Sequence, residues 1–399
     1  MTTATIPEHI APEPAAASPW PQRLRQARLT ALAILTALII GALVVAISDI
    51  DQLKRFEVGG MFRDAVDAYK ALGSGAFGSL RGWSETITAA TPLIFAGLAV
   101  AVSFKAGLFN IGATGQMLAG GLAATYVGFN FSFPALIHVP LCLIAAIVAG
   151  GIWGGIVGLL KARLGAHEVI TTIMLNYVMF NLITWVLKTE LFLRPGGAGN
   201  PISKQIKPSA ELPYFFGFTG RNLLLDLRAH SGFLVAIALA GLVYWLMTKS
   251  KLGFQLRTLG SNADAARYAG MSPPKLTIAA MAMAGAFAGL GGASEIMGGV
   301  TGHRATSGFA GDIGFDAIAV ALLGRSSPWG TTAAALLFGA LKAGGDRMQA
   351  TTGVPVDLVM IIRALIVLFV AAPNLTRTIW RLKDRGGESG SQLFRGWGS

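Results

Sequence analysis

Polar side chains interrupt several long apolar stretches of this chain, and their types and spacing indicate what chemistry it could do. Thr172 and Asn176 are four residues apart, so they share one face of a helix. Amides and hydroxyls of this kind form weak, reversible hydrogen bonds, which suits the passage of a polar solute. The four clusters are Asn110, Thr114 and Gln116; His167, Glu168, Thr171, Thr172 and Asn176; Glu295, His303, Arg304 and Asp312; and Asp316.

Each cluster also has a purely structural interpretation. The threonines can donate to carbonyls of their own helix, and the asparagines can join neighbouring helices. Arg363 lies in the middle of the last apolar stretch, where a charge is costly. Its side chain could snorkel to the membrane surface, pair with Asp357 or Asp316, or contact a solute. Four residues near the ends of the apolar stretches need only be solvated: His167, Glu168, Glu295 and Asp312.

The sequence lacks the motifs of common catalytic and nucleotide-binding sites. It contains no Gly-Lys dipeptide, and therefore no GxxxxGK[ST] phosphate-binding loop, and no GxSxG, HExxH or CxxC motif. Cys142 is the single cysteine, and His303 has no partner at metal-ligand spacing. We therefore expect no catalytic residue, no metal and no cofactor here.

The composition indicates a protein whose surface faces lipid. Hydrophobic residues make up 53% of the 399 residues and charged residues only 13%, about half the share of a soluble domain. The mean hydropathy is +0.59, and the 51 glycines suit close helix packing in a membrane.

Ten apolar segments are candidates for crossing a bilayer, which needs about 20 residues of helix. The predicted fold class is therefore an all-α polytopic membrane protein with about ten transmembrane helices. The predicted segments are 29–47, 86–104, 106–130, 134–160, 169–188, 230–248, 275–297, 313–324, 328–345 and 355–372, of which 313–324 is too short to cross alone.

The distribution of lysine and arginine predicts the orientation. Basic residues flank the first and last segments, at Arg23, Arg25 and Arg28 and again after residue 376, which places both termini in the cytoplasm. The predicted organisation is a disordered cytoplasmic tail (1–28), a transmembrane domain (29–372) with an inner loop at 249–274, and a cytoplasmic C-terminal tail (373–399). A short amphipathic stretch around Phe62 to Leu72 lies in a segment predicted to be outside.

The inner loop predicts a short helix at the cytoplasmic surface. Asn262 can cap a helix over residues 263–269, and Gly270 can end it. The spacing leaves two interpretations equally open, a docking element for a partner and a solvated loop. Within the membrane, Gly150, Gly154 and Gly158 recur every four residues, as do Gly285 and Gly289, which predicts close helix pairs.

Four segments together resemble the permeases of bacterial ABC importers of the branched-chain amino acid, ribose and nucleoside group, most closely its nucleoside and simple-sugar branch. They occur in the expected order: GLFNIGATGQMLAGGLAA (107–124), HEVITTIMLNYV (167–178), GFQLRTLGSNADAARYAGM (253–271) and GFDAIAVALLGRSSPWG (314–330).

The resemblance implies a permease subunit that moves nucleosides or related sugars across the bacterial inner membrane. It implies three protein partners: a cytoplasmic ABC ATPase, which would be the subunit that binds ATP, a second permease in a homo- or heterodimer, and an extracytoplasmic solute-binding protein. ATPase-coupling residues would be Arg257, Gly260, Asn262, Ala265, Arg267 and Gly270. Pathway residues would be Asn110, Gln116, Thr172, Asn176 and Asp316. The alternative is an ion-coupled secondary transporter, which explains Asp316 and Arg363 but explains the inner loop less well.

Overall fold

The computed structural model describes residues 20–48, 58–195, 200–215 and 227–381, and the regular secondary structure in this part of the chain is helical apart from three isolated β-bridges. The all-α class is thus confirmed. In chain order the helices are α1 (Trp20–Ser48), α2 (Val58–Phe77), α3 (Leu80–Lys105), α4 (Ala113–Asn130), α5 (Ala135–Leu164), α6 (Glu168–Val186), α7 (Gly232–Lys249), α8 (Lys251–Ser261), α9 (Ala263–Tyr268), α10 (Pro273–Met297), α11 (Ile313–Leu323), α12 (Pro328–Thr352), α13 (Asp357–Ala371) and α14 (Pro373–Ile379).

Six of the described helices are long and apolar enough to cross a membrane, and a bent pair makes a possible seventh. The six are α1, α3, α5, α6, α7 and α10; the pair is α13 and α14, which meet at 93°. Each of the ten predicted segments contains a helix, but α4 and α12 include polar residues such as Gln116 and Lys342, and α11 has only 11 residues. The chain is a multi-pass helical membrane protein, and the count of ten crossings stays a prediction.

The first helix begins earlier than predicted. α1 starts at Trp20, so residues 20–28 are helical rather than disordered, and the rest of the predicted tail lies outside the described residues. The segment 22–28 consists of Gln, Arg, Leu and Ala, which are good helix formers and continue the apolar helix without a break.

The predicted third span, 106–130, is wrong over its first seven residues. Residues 106–112, called the connector below, are not helical, and α4 begins only at Ala113. Gly107 has a φ angle of +73°, in the left-handed region where a helix commonly ends. The Asn110 side chain then accepts the backbone N–H of Gly112 at 2.9 Å, a local bond that competes with helix.

Two other segments are more helical than predicted. The amphipathic stretch forms the 20-residue helix α2, which packs against α1 and α12. The inner loop contains α8 as well as the predicted short helix, which is α9. The Ser250 hydroxyl starts α8 by accepting the N–H of Gly253 at 3.0 Å.

Helix α10 is the centre of the bundle and packs on α3, α4 and α5. It runs antiparallel to α5, and the two backbones touch at the predicted glycines. A β-carbon at Gly154 would lie only 3.0 Å from the Cα of Gly285, and one at Gly150 would lie 2.9 Å from the Cα of Gly289. The two helices therefore gain dispersion contacts over their whole interface.

The two ends of the bundle differ. α8 and α9 lie at one end, called the α8–α9 end. At the other, called the cap end, described parts of residues 187–231 cover the helix termini through backbone bonds from Lys207 to Gly128 and from Leu212 to Met297, each 2.9 Å. The last helix returns to the first, because the Trp380 indole N–H donates to the Thr36 hydroxyl at 2.9 Å.

The glycine contact yields a matched pair of variants. Gly154→Ala forces α5 and α10 apart and should cost about 1–3 kcal/mol of stability, as for an overpacked core. Gly155→Ala is the control, because its β-carbon would meet only the Ala282 side chain, at 3.7 Å. The thermal midpoint in detergent should fall for Gly154→Ala alone. Equal midpoints for the two variants would contradict this account of the packing.

Candidate functional site

The start of α4 is held by a cluster of buried amides. The Asn110 amide donates to Gln116 Oε1 at 3.0 Å, and neither side chain is exposed to solvent. Asn176 reaches across from α6, where it accepts the N–H of Gly115 at 2.9 Å and donates to the carbonyl of Ile111 at 3.0 Å. The structure therefore brings Asn110, Gln116 and Asn176 together, and it uses their hydrogen-bonding capacity internally.

Thr172 packs against the same cluster but does not share its hydrogen bonds. Its hydroxyl donates to the carbonyls of Glu168 and Val169 in its own helix, the structural interpretation given above. Its side chain touches Gly112, where a β-carbon would lie 3.1 Å from the Thr172 Cβ. The Thr114 hydroxyl and the Trp153 indole nitrogen, by contrast, are buried with no hydrogen-bond partner among the described residues. No pattern in the sequence had pointed to Trp153.

Glu168 is a buried side chain that links three segments, and it is not a solvated surface group. It is 8% exposed, and its carboxylate accepts from Lys161 at 2.5 Å. It also accepts the backbone N–H of Phe109 in the connector. Glu168 thus ties the end of α5 and the start of α6 to the connector, whereas His167 beside it is exposed.

The start of α11 lies beside the amide cluster, but Asp316 of this helix does not join the cluster. A β-carbon at Gly314 would lie 2.9 Å from the Cα of Thr114. The Asp316 carboxylate instead accepts from Arg363 at 3.0 Å, which selects Asp316 over Asp357 as the partner of that arginine. The Arg363 guanidinium also lies over the Phe338 ring, 6.0 Å from its centroid.

An exposed lysine adds to this charged face, and sequence reasoning missed it. Lys342 of α12 is exposed and interacts electrostatically with Asp316 and also with Glu295 of α10. Lys342, Asp316 and Arg363 lie on three adjoining helices, α12, α11 and α13, and form a charged face that cannot face lipid at low cost. Glu295 is buried beside it on α10.

At the α8–α9 end, α9 points away from the bundle. Asn262 caps it as predicted, since its Oδ1 accepts the N–H groups of Asp264 and Ala265 at 2.9 Å each. Gly270 follows with a φ angle of +75°. Asn262, Ala265, Arg267 and Gly270 are all exposed, and Arg267 pairs only loosely with Asp264, at 3.4 Å.

The sequence analysis did not anticipate the exposed aromatic ring of Tyr268 on α9. Tyr268 is 93% exposed, and nothing in the local sequence distinguishes it from a residue that packs inward. Large exposed aromatic side chains are over-represented among residues that anchor protein interfaces.

Arg257 and Gly260, predicted with the same group, lie on α8 and contact the bundle, although Arg257 is exposed. Arg257 donates to the carbonyl of Met247 near the end of α7. Gly260 lies against the connector, where a β-carbon would be 2.7 Å from the backbone nitrogen of Gly107. The predicted set thus divides into an outward group at α9 and two residues of α8 that contact the end of α7 and the connector.

At the cap end, the polar residues form a network around α10. Glu295 is 4% exposed near the charges of Lys342 and Arg228, and Arg228 pairs with Glu85 at 3.5 Å. His303 lies 3.4 Å from the Tyr214 hydroxyl and 3.7 Å from Glu211.

His230 is buried at the edge of this network. Its Nδ1 accepts the N–H of Gly232 at 3.2 Å, and its Nε2 has no partner among the described residues. Burial, followed by the charges of Arg228 and His303, lowers the pKa of His230 from 6.5 to about 4.

The chain is similar to known proteins over most of its length. Residues 83–371 match the model of the family described as branched-chain amino acid transport system, permease component. The chain is 40% identical to a guanosine ABC transporter permease of Bacillus subtilis, over 92% of this chain and 99% of that protein. It is 41% identical to a glucose ABC transporter permease of Haloferax volcanii, over 85% of each, and 38% identical to a nucleoside ABC transporter permease of Lactococcus lactis, over 76% and 82%. No solved structure matches the chain.

The ion pair between Asp316 and Arg363 should be energetically coupled. Arg363→Met leaves a largely buried carboxylate unpaired and should destabilise the protein by about 1–3 kcal/mol. Removing both charges, with Asp316→Asn added, should recover part of that loss, which a double-mutant cycle of unfolding midpoints measures. Strictly additive losses would mean that the two side chains do not stabilise each other.

The low pKa of His230 makes stability depend on pH. Unfolded protein binds a proton at this histidine near pH 6.5, but folded protein does so only near pH 4. Stability should therefore be complete above pH 6.5 and fall by about 2–3 kcal/mol as the pH drops to 4. In His230→Gln, the thermal midpoint should change less between pH 7.5 and 4.5 than it does in the wild type. His167→Gln, at an exposed site, should keep the wild-type pH dependence. Identical pH profiles for both variants would refute the assignment.

Proposed function

The chain belongs to the family of permease components of branched-chain amino acid transport systems, and from this premise we propose that it is the membrane-spanning subunit of an ATP-driven importer for nucleosides or related simple sugars. The observation that carries the proposal is the similarity, over most of both chains, to ABC transporter permeases for guanosine, nucleosides and glucose. Family membership also disfavours the ion-coupled alternative, because permeases of this kind work with an ATPase.

The shared chemistry of those solutes is a neutral ring that bears hydroxyl groups. A pathway for such a solute needs hydrogen-bonding groups that hold it weakly and release it. Among the residues near α4, the unpartnered Thr114 hydroxyl and Trp153 indole have spare capacity. We assign the solute contacts to these groups and to the charged face at Asp316. The internally bonded Asn110, Gln116, Thr172 and Asn176 then shape the wall of the pathway.

The proposed topology has ten crossings with both termini in the cytoplasm, a transmembrane domain from residue 29 to 372, and a cytoplasmic tail from 373 to 399. The α8–α9 end would then be cytoplasmic. The positive-inside rule supports this orientation, because Lys105, Lys161, Arg163, Lys249 and Lys251 all lie in the last turn of a helix or the first residue of the next at that end.

Three protein partners complete the importer. The exposed face of α9 is the docking site for a cytoplasmic ABC ATPase, which binds the ATP, and a solute-binding protein docks at the cap end. A second permease subunit supplies the other wall of the pathway. Closure of the ATPases would move α8 and α9, and rigid-body rocking of the helices would alternate access between the two sides.

Co-purification in mild detergent tests the assignment. The wild-type chain should retain a stoichiometric protein that carries a phosphate-loop ATPase motif, and vesicles with the complex should take up nucleoside only with ATP. Arg267→Glu or Tyr268→Ala should lower ATPase retention at least tenfold, equal to about 1.4 kcal/mol or more of binding free energy, with membrane insertion intact.

Lys188→Glu, at an exposed position near the cap end, is the control for a charge reversal. It should leave ATPase retention unchanged. Full ATPase retention and uptake by both α9 variants would remove the docking role from this helix. A wild-type chain that transports alone, driven by an ion gradient, would refute the importer itself.

A further inference from the structure

Gly260 of α8 contacts Gly107 of the connector. Because α8 leads directly into the proposed docking helix α9, this contact links α9 to the amide cluster. We propose that this backbone contact transmits the movement of the docked ATPase to the pathway, so that Gly260 and Gly107 are positioning residues for coupling. The inference rests on the proposed function and adds to it a route within this chain.

The first step of the route is a stiff unit made of α8 and α9. Asn262 ends α8, because its backbone turns to the extended conformation (φ −161°, ψ 113°), and its side chain caps α9 at the same time. Arg257 fastens α8 to the end of α7. A force applied to the exposed face of α9 therefore reaches the last turn of α8, where Gly260 lies, without passing through a loose loop.

The second step is direct contact between two backbones. A β-carbon at Gly260 would lie 2.7 Å from the nitrogen of Gly107 and 2.8 Å from the carbonyl carbon of Ala106, and one at Gly107 would lie 2.9 Å from the Cα of Gly260. Since no side chain lies between the two segments, no rotamer change can absorb a displacement of α8. The connector must move with it.

The third step is the attachment of the connector to α4 and α6. Phe109 donates its N–H to Glu168, and the Ile111 carbonyl accepts from Asn176, both on α6. Asn110 bonds Gln116 of α4, and Gly112 packs on Thr172. Every residue from 109 to 112 thus contacts one of the two helices that carry the predicted pathway residues.

The test separates transport from ATP hydrolysis in the complete complex, reconstituted in vesicles with radiolabelled guanosine as the probe. Gly260→Ala should keep the ATPase bound and hydrolysing, but should lower the number of guanosine molecules moved per ATP at least fivefold. Gly107→Ala should do the same from the other side of the contact. Gly241→Ala is the matched control, because its β-carbon would meet nothing within 4 Å, and it should leave the ratio unchanged.

A distance measurement keeps the inference testable if uptake is weak. Cys142 is buried, so spin labels can be placed selectively at Lys105→Cys and His167→Cys, which are both exposed. The distance between the labels should change when a non-hydrolysable ATP analogue binds, and this change should disappear in Gly260→Ala. An unchanged transport ratio in Gly260→Ala, or loss of ATPase binding in that variant, would overturn the route. Absence of ATP-driven uptake in the wild type would overturn the proposed function and this inference together.

Discussion

The backbones of α5 and α10 touch at the centre of the bundle, and the other helices pack around this pair. Lipid is as apolar as the side chains, so helices in a membrane gain little by hiding apolar surface from water. What remains is dispersion, which requires that backbones touch, and the glycines of these two helices permit it. α10 also packs on α3 and α4. Its position therefore sets how α3, α4 and α5 lie relative to one another.

The polar groups inside this bundle show a division of labour. The amides of Asn110, Gln116 and Asn176 satisfy one another and the irregular backbone of the connector, which would otherwise leave unpaired groups where water is scarce. The charges of Asp316 and Arg363 offset each other between two helices. Among the described residues, the amides of this cluster therefore have little hydrogen-bonding capacity left for a solute, so such a pathway would bind weakly. In the proposed importer, selection would fall largely to the solute-binding protein.

The sequence was informative where structure is decided locally. Asn262 and Gly270 predicted the two ends of α9 correctly, because an N-cap and a left-handed glycine act on the backbone within a few residues. The glycines spaced four residues apart likewise predicted the contact between α5 and α10. The choice of Asp316 as the partner of Arg363, the inward direction of Gly260 and the exposure of Tyr268 depend on tertiary packing, which no local pattern encodes. The connector was misread as helix because its residues are apolar, and only the backbone angle at Gly107 and the bonds of Asn110 explain its shape.

The bond between Trp380 and Thr36 has a consequence for the way this chain is made. It joins residues 344 positions apart, and α1 packs mainly against α13, which is among the last segments synthesised. A ribosome-bound intermediate therefore holds α1 in the bilayer without its main neighbour until translation is nearly finished. Assembly of the bundle is therefore completed only when α13 reaches α1, so a truncated product leaves the face of α1 that packs on α13 uncovered.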